Sequence, residues 1–529
     1  MIFMITHTIR RGCPFLLLLF AASGAPAQTL VPEPPLGPVP PSGVSVRLEP
    51  FAQLPATSGD GLRARLSMMR TDPADTDTLW INDLRGPLYR LVNAQPVLFI
   101  DLRDHLPAFT DSPGLGAGFQ SFALHPEFAQ NGRFYTVHTE DAGSGTADYT
   151  GPEVASEFVQ GVVTEWTAEN PAATTFTGTR RELLRIGFPH QIHGIQEAAF
   201  NPNAVPGHPD YGILYITVGD GGSFNVGQPG NLNRTDSLYG TVLRIDPEGT
   251  DGPNGNYGIP ADNPFAAMPE ARPEVYAYGF RNPHRIVFQP AALAADPEAP
   301  YIFVNDIGER NFEEVNLLEA GANYGWPWRE GTYLFHGEST QYRDYIYELP
   351  ENDDDFGYTY PVAQWDRSPE NGRAIGSGIF YGGTGIAGLH GHYVMGNIPE
   401  GELYHFPVSA VTPGEQTPVY EFFLGAGSRV ERMEDRYTGR VDIRLGTGHD
   451  GEMYVMVKSD GRVFRMTADP DRWRGYSVRN GWVDSGDWLG ALKVDLSPWI
   501  FSRELDKWLY WPAPNAPLED GAWVFVPSD

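Results

Sequence analysis

The chain is almost without cysteine: Cys13 is the only one in 529 residues. It sits inside the N-terminal stretch "RRGCPFLLLLFAASGAPAQ". The basic pair Arg10 and Arg11, the short apolar centre and the Ala25-x-Ala27 ending have the form of an export signal. Residues 1–27 are read as that signal, so the mature chain is expected to be periplasmic or secreted. Cys13 precedes the apolar run, the wrong place for a lipid anchor, and the mature chain keeps no thiol. Disulfides are thereby excluded, and stability has to come from a packed core or bound ions. No later apolar run is long enough to be a transmembrane helix. Lysine is nearly missing as well, with only Lys458, Lys493 and Lys507. Asp and Glu number 67 against 37 Lys and Arg, a net charge of −30. Such a surface repels nucleic acid and anionic membrane, and it makes any cluster of positive side chains conspicuous.

Long amphipathic helical patterns are also lacking. Short runs with period-two alternation recur instead, each closed by Gly, Asp or Asn. They are "LWINDLRGPLYRL" (79–91), "RFYTVHTED" (133–141) with "GVVTEW" (161–166), and "ILYITVGDGG" (213–222) with "GTVLRID" (240–246). Further units are "YIFVNDIGERNFEEVNLL" (301–318), "HYVMGNIPEGELYHF" (392–406) and "EMYVMVKSDGRVFRM" (452–466). Six such units over 45–470 predict an all-β, six-bladed β-propeller, with a pair of β-sandwiches as the other architecture the pattern allows. Residues 28–44, "QTLVPEPPLGPVPPSGV", read as a Pro-rich extended spacer with little to pack. Residues 471–529, dense in tryptophan, read as a small β-rich C-terminal appendage that docks on the propeller or offers surface or glycan contact.

A second repeat precedes the outer hairpins. "GFQSFALHP" (118–126) matches "GIQEAAFNP" (194–202), and "RNPHRIVFQP" (281–290) ends the same way. "RAIGSGIF" (373–380) and "RVDIRLGT" (440–447) have similar lengths. As innermost strands these would line a central channel, with His193, Arg281, Arg373 and Arg440 at one level at the strand mouths. On a strand, residues three apart face opposite ways, so His190 and His193 are not expected to share a metal ion. Asp220 in "VGDGG", the turn "ANYGWPWREG" (322–331) and the acidic loop "ENDDDFGY" (351–358) are read as structural.

At these residues the sequence resembles the soluble quinoprotein glucose/sorbosone dehydrogenases, a family to which the hedgehog-interacting propeller domain is related. The stretches that carry the likeness include "FALHPEFAQNGRFY", "LYITVGDGG", "NLNRTDSLYGTVLRIDPEG", "RPEVYAYGFRNP" and "NDIGERNFEEVNLLEAGANYGWPWREG". The resemblance implies pyrroloquinoline quinone (PQQ) seated on a calcium ion at the channel mouth. It also implies a small sugar or alcohol substrate and an external electron acceptor. It assigns His193, in "HGIQEAAF", as the base that takes the substrate hydroxyl proton. It places Arg281, Asn282, Arg373, Arg440, Arg444 and Gln120 at the cofactor, and the main-chain carbonyls of Gly308 and Glu309 at calcium. Arginine forks suit a cofactor with three carboxylates, and carbonyl oxygens suit calcium. The chain departs from the family at Ile195 and Gln196, where paired glycines are usual, and at Glu197. It departs again at Gly116, where many catalytic members have glutamine, and at Glu309, which replaces proline. A non-catalytic propeller that binds a protein or glycan is the competing function.

Overall fold

Alternating runs of four to seven residues bury one face of a strand and have no stripe to offer a helix. The computed structural model follows that rule. It describes residues 28–510 except 59–60, 115, 427–428, 474–475, 487–488 and 495–498. The segment read as an export signal and the last part of the appendage, 511–529, lie outside the described residues. Among those described, α-helix is confined to the single turn Phe128–Asn131.

The strands form antiparallel meanders of four. The first is Leu66–Thr71, Thr78–Asp83, Pro87–Val92 and Gln95–Asp101. The second is Ser121–Leu124, Arg133–Asp141, Val159–Ala168 and Gly178–Phe188, with Tyr149–Thr150 on its edge. Ile195–Phe200, Leu214–Val218, Thr241–Ile245 and Val275–Tyr278 follow, then Pro283–Phe288, Ile302–Ile307, Phe312–Leu317 and Ala363–Asp366. The next sheet is larger because the early strand Pro41–Gln53 is inserted into it. On one side this strand runs parallel to Tyr420–Ala426, the last of a meander that begins at Ile375–Phe380. On the other it is antiparallel to Arg462–Ala468, which continues through Met453–Val457 to Ile443–Thr447. The chain's beginning thus completes its latest large sheet.

The first strand of each meander neighbours the first strand of the next, and Leu66–Thr71 neighbours Ile443–Thr447, so these inner strands close a ring. The arrangement is propeller-like. Side chains at a common level tie the ring together. Ala198 N–H donates to Ser121 Oγ (3.1 Å), Ile286 N–H to Glu197 Oε2 (3.1 Å), Leu445 N–H to Ser377 Oγ (3.0 Å), and Ser67 Oγ to Gln120 O (2.7 Å). Four inner strands shift register near their starts, at Leu66/Met69, Ile195/Glu197, Pro283/Arg285 and Ile375/Ser377. Such bulges re-aim side chains at the channel mouth.

Two expectations change. The Pro-rich segment is docked and not a loose spacer. Leu36 and Gly37 donate their N–H groups to Asp366 Oδ2 (both 2.9 Å), Val39 N–H reaches Asn371 Oδ1 (2.8 Å), and strand begins at Pro41. Residues between the prolines keep their donors, and those donors find buried acceptors. His190 and His193 are not on a strand, because Ile195 is the first residue of that strand. The tryptophan-rich tail forms a small sheet, Trp482–Asp484, Ala491–Lys493, Trp499–Ser502 and Lys507–Tyr510, over its own core of Val483, Leu492, Val494, Ile500 and Leu509.

Candidate functional site

His193 ends the loop that enters the third inner strand, with φ at 57°. A left-handed histidine is strained and persists only where its surroundings impose it. Here Gly221 N–H donates to His193 O and Gly219 N–H to Gly194 O (both 2.9 Å). A Cβ on Gly219 would stand 2.4 Å from His193 O, so the two segments close up because that residue is glycine. Gly116 lies as close on another side, where a Cβ would meet Gln191 O at 3.0 Å. The glutamine usual in catalytic family members has its room taken by this loop. His190 packs elsewhere, its ring stacked on Phe158 with centroids 6.2 Å apart.

The His193 ring is 11% exposed, and its Nδ1 lies 2.8 Å from Asp220 Oδ1. Asp220 is fully buried. Its Oδ1 also accepts Gly222 N–H (2.8 Å), and its Oδ2 accepts Trp326 Nε1–H (3.2 Å). With every other neighbour a donor, the carboxylate fixes the tautomer that carries the proton on Nδ1 and leaves the Nε2 lone pair free. Burial holds the His193 pKa below the ordinary histidine value, with the Arg281 charge acting the same way and Asp220 against it. Burial alone would raise Asp220, but His193 and Arg281 hold it below the ordinary value. The result is a neutral, oriented base at neutral pH. In sequence Asp220 looks like a turn residue. Its role was legible in the hairpin register: Ile195 pairs with Val218, and continuing that ladder sets His193 beside Asp220.

Arg281 lies two residues before the next inner strand, and its carbonyl accepts Asp220 N–H (2.7 Å). The N–H groups of Arg281 (2.9 Å) and Asn282 (2.6 Å) both donate to buried Asp306. Arg281 Nη1 donates to Ile307 O (2.9 Å) and Gly308 O (2.7 Å), and its Nη2 pairs with the Glu309 carboxylate. The other oxygen of that carboxylate pairs with Arg343. Arg367 Nη1 donates to Gly308 O (2.9 Å) and to Glu309 O. The two carbonyls assigned to calcium by resemblance therefore already serve guanidinium groups. A divalent cation there would meet like charges at hydrogen-bond range, so these residues as arranged do not fit calcium. Among the described residues there is also no cluster of three or more His, Cys, Asp or Glu able to hold a metal.

The remaining assigned residues divide. Arg444 is buried on the last inner strand beside Arg285, Arg440 and Arg65. Lys458, one of three lysines, is buried with Arg444, Asp442, Arg65 and Arg285 around it, and burial pushes its amine well below the usual lysine range. Gln120 Nε2, Asn282 Oδ1, His284 Nδ1, Arg281 Nε and Arg444 Nε are buried without hydrogen-bond partners. The cations and the idle N–H donors of Gln120, Arg281 and Arg444 suit a ligand with several carboxylates, so the quinone fits the chain even though calcium does not. Arg373 and Arg440 turn outward, 59% and 51% exposed, to Glu400 and Asp442. Only Arg281 of the three arginines expected beside His193 is there. Glu197 is not aimed at a cofactor: its carboxylate is buried, paired with Arg70 and accepting Ile286 N–H. Arg65 and Lys458 escaped the sequence reading, and the rarity of lysine was the one available signal.

Residues 112–465 match the family described as glucose/sorbosone dehydrogenase. Over 285 residues the chain is 30% identical to the HIPL1 protein of Arabidopsis thaliana, a stretch covering 46% of this chain and 36% of that protein. It is 24% identical over 356 residues to aldose sugar dehydrogenase YliI of Escherichia coli K12, covering 66% of this chain and 77% of that one. The chain spans only 36% and 44% of the length of the plant relatives HIPL1 and HIPL2. The PQQ-bound aldose sugar dehydrogenase of Streptomyces coelicolor shares its fold, with a TM-score of 0.52 at 18% identity over 82% of this chain and 100% of that one. With the match running through most of the ring of sheets and both halves of the His193–Arg281 site, the chain belongs to the glucose/sorbosone dehydrogenase family.

Proposed function

We propose that the protein is an exported quinoprotein dehydrogenase that oxidises a sugar or related alcohol on a six-bladed propeller and passes electrons to an external acceptor. The observation that carries this reading is the His193–Asp220 pair (2.8 Å) standing next to Arg281 at the mouth of a channel with a buried cationic lining. Arg281, Asn282, Gln120, Arg444, Arg65 and Lys458 are the groups to hold the polycarboxylate. When bound, the quinone supplies the hydride acceptor that no side chain can provide. His193 Nε2 accepts the proton of the substrate hydroxyl, and Asp220 holds the ring in position and stabilises the imidazolium that forms. Trp326, below Asp220, keeps water from the back of the pair.

The test is direct. Purified protein mixed with PQQ should give a stable absorbing complex that is bleached by an aldose. No complex and no turnover with any aldose would defeat the reading. A second reading has its own support. The chain is more similar in sequence to HIPL1 than to YliI, at 30% against 24% identity, and Gly116, Ile195 and Gln196 depart from the catalytic pattern. On that reading the channel is a binding site for a protein or glycan, and His193 is one of its polar lining residues.

A further inference from the structure

The loop 306–311 is held from two sides. Glu330 Oε1 accepts the N–H groups of Glu309 (2.7 Å), Arg310 (3.0 Å) and Asn311 (2.9 Å), which fixes the loop from behind. A Cβ on Gly308 would lie 1.8 Å from Phe312 O, so the loop also admits no side chain there. Its front presents the carbonyls of Ile307, Gly308 and Glu309. Arg281 takes the first two, and Arg367 takes the last two. Both guanidiniums are anchored at a second point, Arg281 to Glu309 and Arg367 to Glu313 (3.0 Å). Glu309 stands where the family has proline, and it adds the carboxylate that draws Arg281 and Arg343 together.

We propose that this chain carries its own cation at the position where the family resemblance places calcium. The paired guanidiniums of Arg281 and Arg367 satisfy the carbonyl cradle permanently, and the site works without a metal. Carbonyl oxygens that attract a hard cation attract a guanidinium fork for the same electrostatic reason, and the fork adds directed hydrogen bonds. Arg281 Nε is buried without a partner, which leaves one donor of this built-in cation for an oxygen of the ligand. That last role rests on the quinone reading above, whereas the filling of the cradle does not.

The experiment uses full-length protein treated with a calcium chelator. Melting temperature is measured across a calcium titration for wild type and for Arg367→Gln, which uncovers Glu309 O and leaves Gly308 O to Arg281 alone. PQQ binding to the wild type is read by absorbance in calcium and in chelator. The expected results are a wild-type melting temperature that does not respond at this loop and quinone binding of equal affinity in both buffers. A calcium-dependent rise with the same midpoint in wild type and Arg367→Gln comes from another acidic site and agrees with the proposal. A rise in wild type whose midpoint moves in Arg367→Gln puts the metal in the cradle and overturns it. Quinone binding that weakens tenfold or more in chelator overturns it too. Failure of the quinone to bind in either buffer defeats the dehydrogenase reading, and the calcium titration still decides whether the cation is built in.

Discussion

A histidine held at φ 57° with its Nδ1 on a buried carboxylate has little freedom left, so its replacement should read out chemistry more than folding. His193→Ala is expected to keep the fold and the quinone absorbance, with some loss of stability because buried Asp220 loses a partner, while turnover falls by roughly 10²–10⁴, the worth of a positioned general base. Asp220→Asn is a different probe. Asp220 raises the His193 pKa against the lowering by burial and Arg281, so removing its charge should lower that pKa further. The acid limb of the kcat/KM profile, expected below the ordinary histidine value of about 6.5 in the wild type, should move to still lower pH, with a lower plateau because the tautomer is no longer fixed. A limb that moves upward would show that another group controls it. His193, Arg281 and Asn282 could be read from sequence because their motifs are contiguous. Arg373 and Arg440 could not. The residue after Arg373, Ala374, and the second after Arg440, Asp442, are left-handed (φ 61° and 54°), whereas at the third inner strand His193 itself is. Equal spacing from a strand therefore does not give equal side-chain direction. Lys458 follows the strand paired with Ile443–Thr447, so the hairpin sets it opposite Asp442 and close to Arg444, whereas only the closed ring adds Arg65 and Arg285 to the cluster.

At the scale of elements, the alternation of each hairpin was enough to place strands, since one buried face is all a meander strand needs. What joins one inner strand to the next was not legible, because it depends on single polar side chains at one level. Glu197 shows the point. In sequence it was a carboxylate near a cofactor motif, but in the structure it ties the third inner strand to Arg70 on the first and to the backbone of the fourth. Glu197→Ala should destabilise the protein by about 1–3 kcal/mol, since it leaves the buried Ile286 N–H without an acceptor and half-buried Arg70 without its partner. The measurement is the denaturant midpoint, and quinone affinity should change much less. The loop at Gly219 has the opposite profile. Gly219→Ala drives a Cβ toward His193 O, so it should displace the base as well as cost about 1–3 kcal/mol. Turnover lost without loss of stability would mean that the loop yields while the strand holds.

Over the whole molecule, one strand joins two distant parts of the chain. Pro41–Gln53 is parallel to Tyr420–Ala426 and antiparallel to Arg462–Ala468, so it joins two meanders that would otherwise expose facing edges. It also buries Val46 in the core those meanders share. Its register with Arg462–Ala468 spans Val46↔Ala468 to Gln53↔Arg462, a long ladder of sequence-distant pairs that has to form before the ring can close. The C-terminal sheet has its own core around Val483, Leu492 and Ile500 and gives the ring no inner strand. Two truncations should therefore differ sharply. Removing residues 28–53 should abolish the cooperative thermal transition and leave a protease-sensitive, aggregating product, since two sheet edges lose their cover and buried Asp366 and Asn371 lose the N–H donors of Leu36, Gly37 and Val39. Ending the chain at residue 470 should leave a soluble protein whose main melting transition shifts little and whose quinone binding is unchanged, as judged by scanning calorimetry and absorbance. If the longer C-terminal cut instead removed the main transition, the appendage would be part of the ring's own cooperative unit, and closure by the first strand would not be sufficient to hold the propeller.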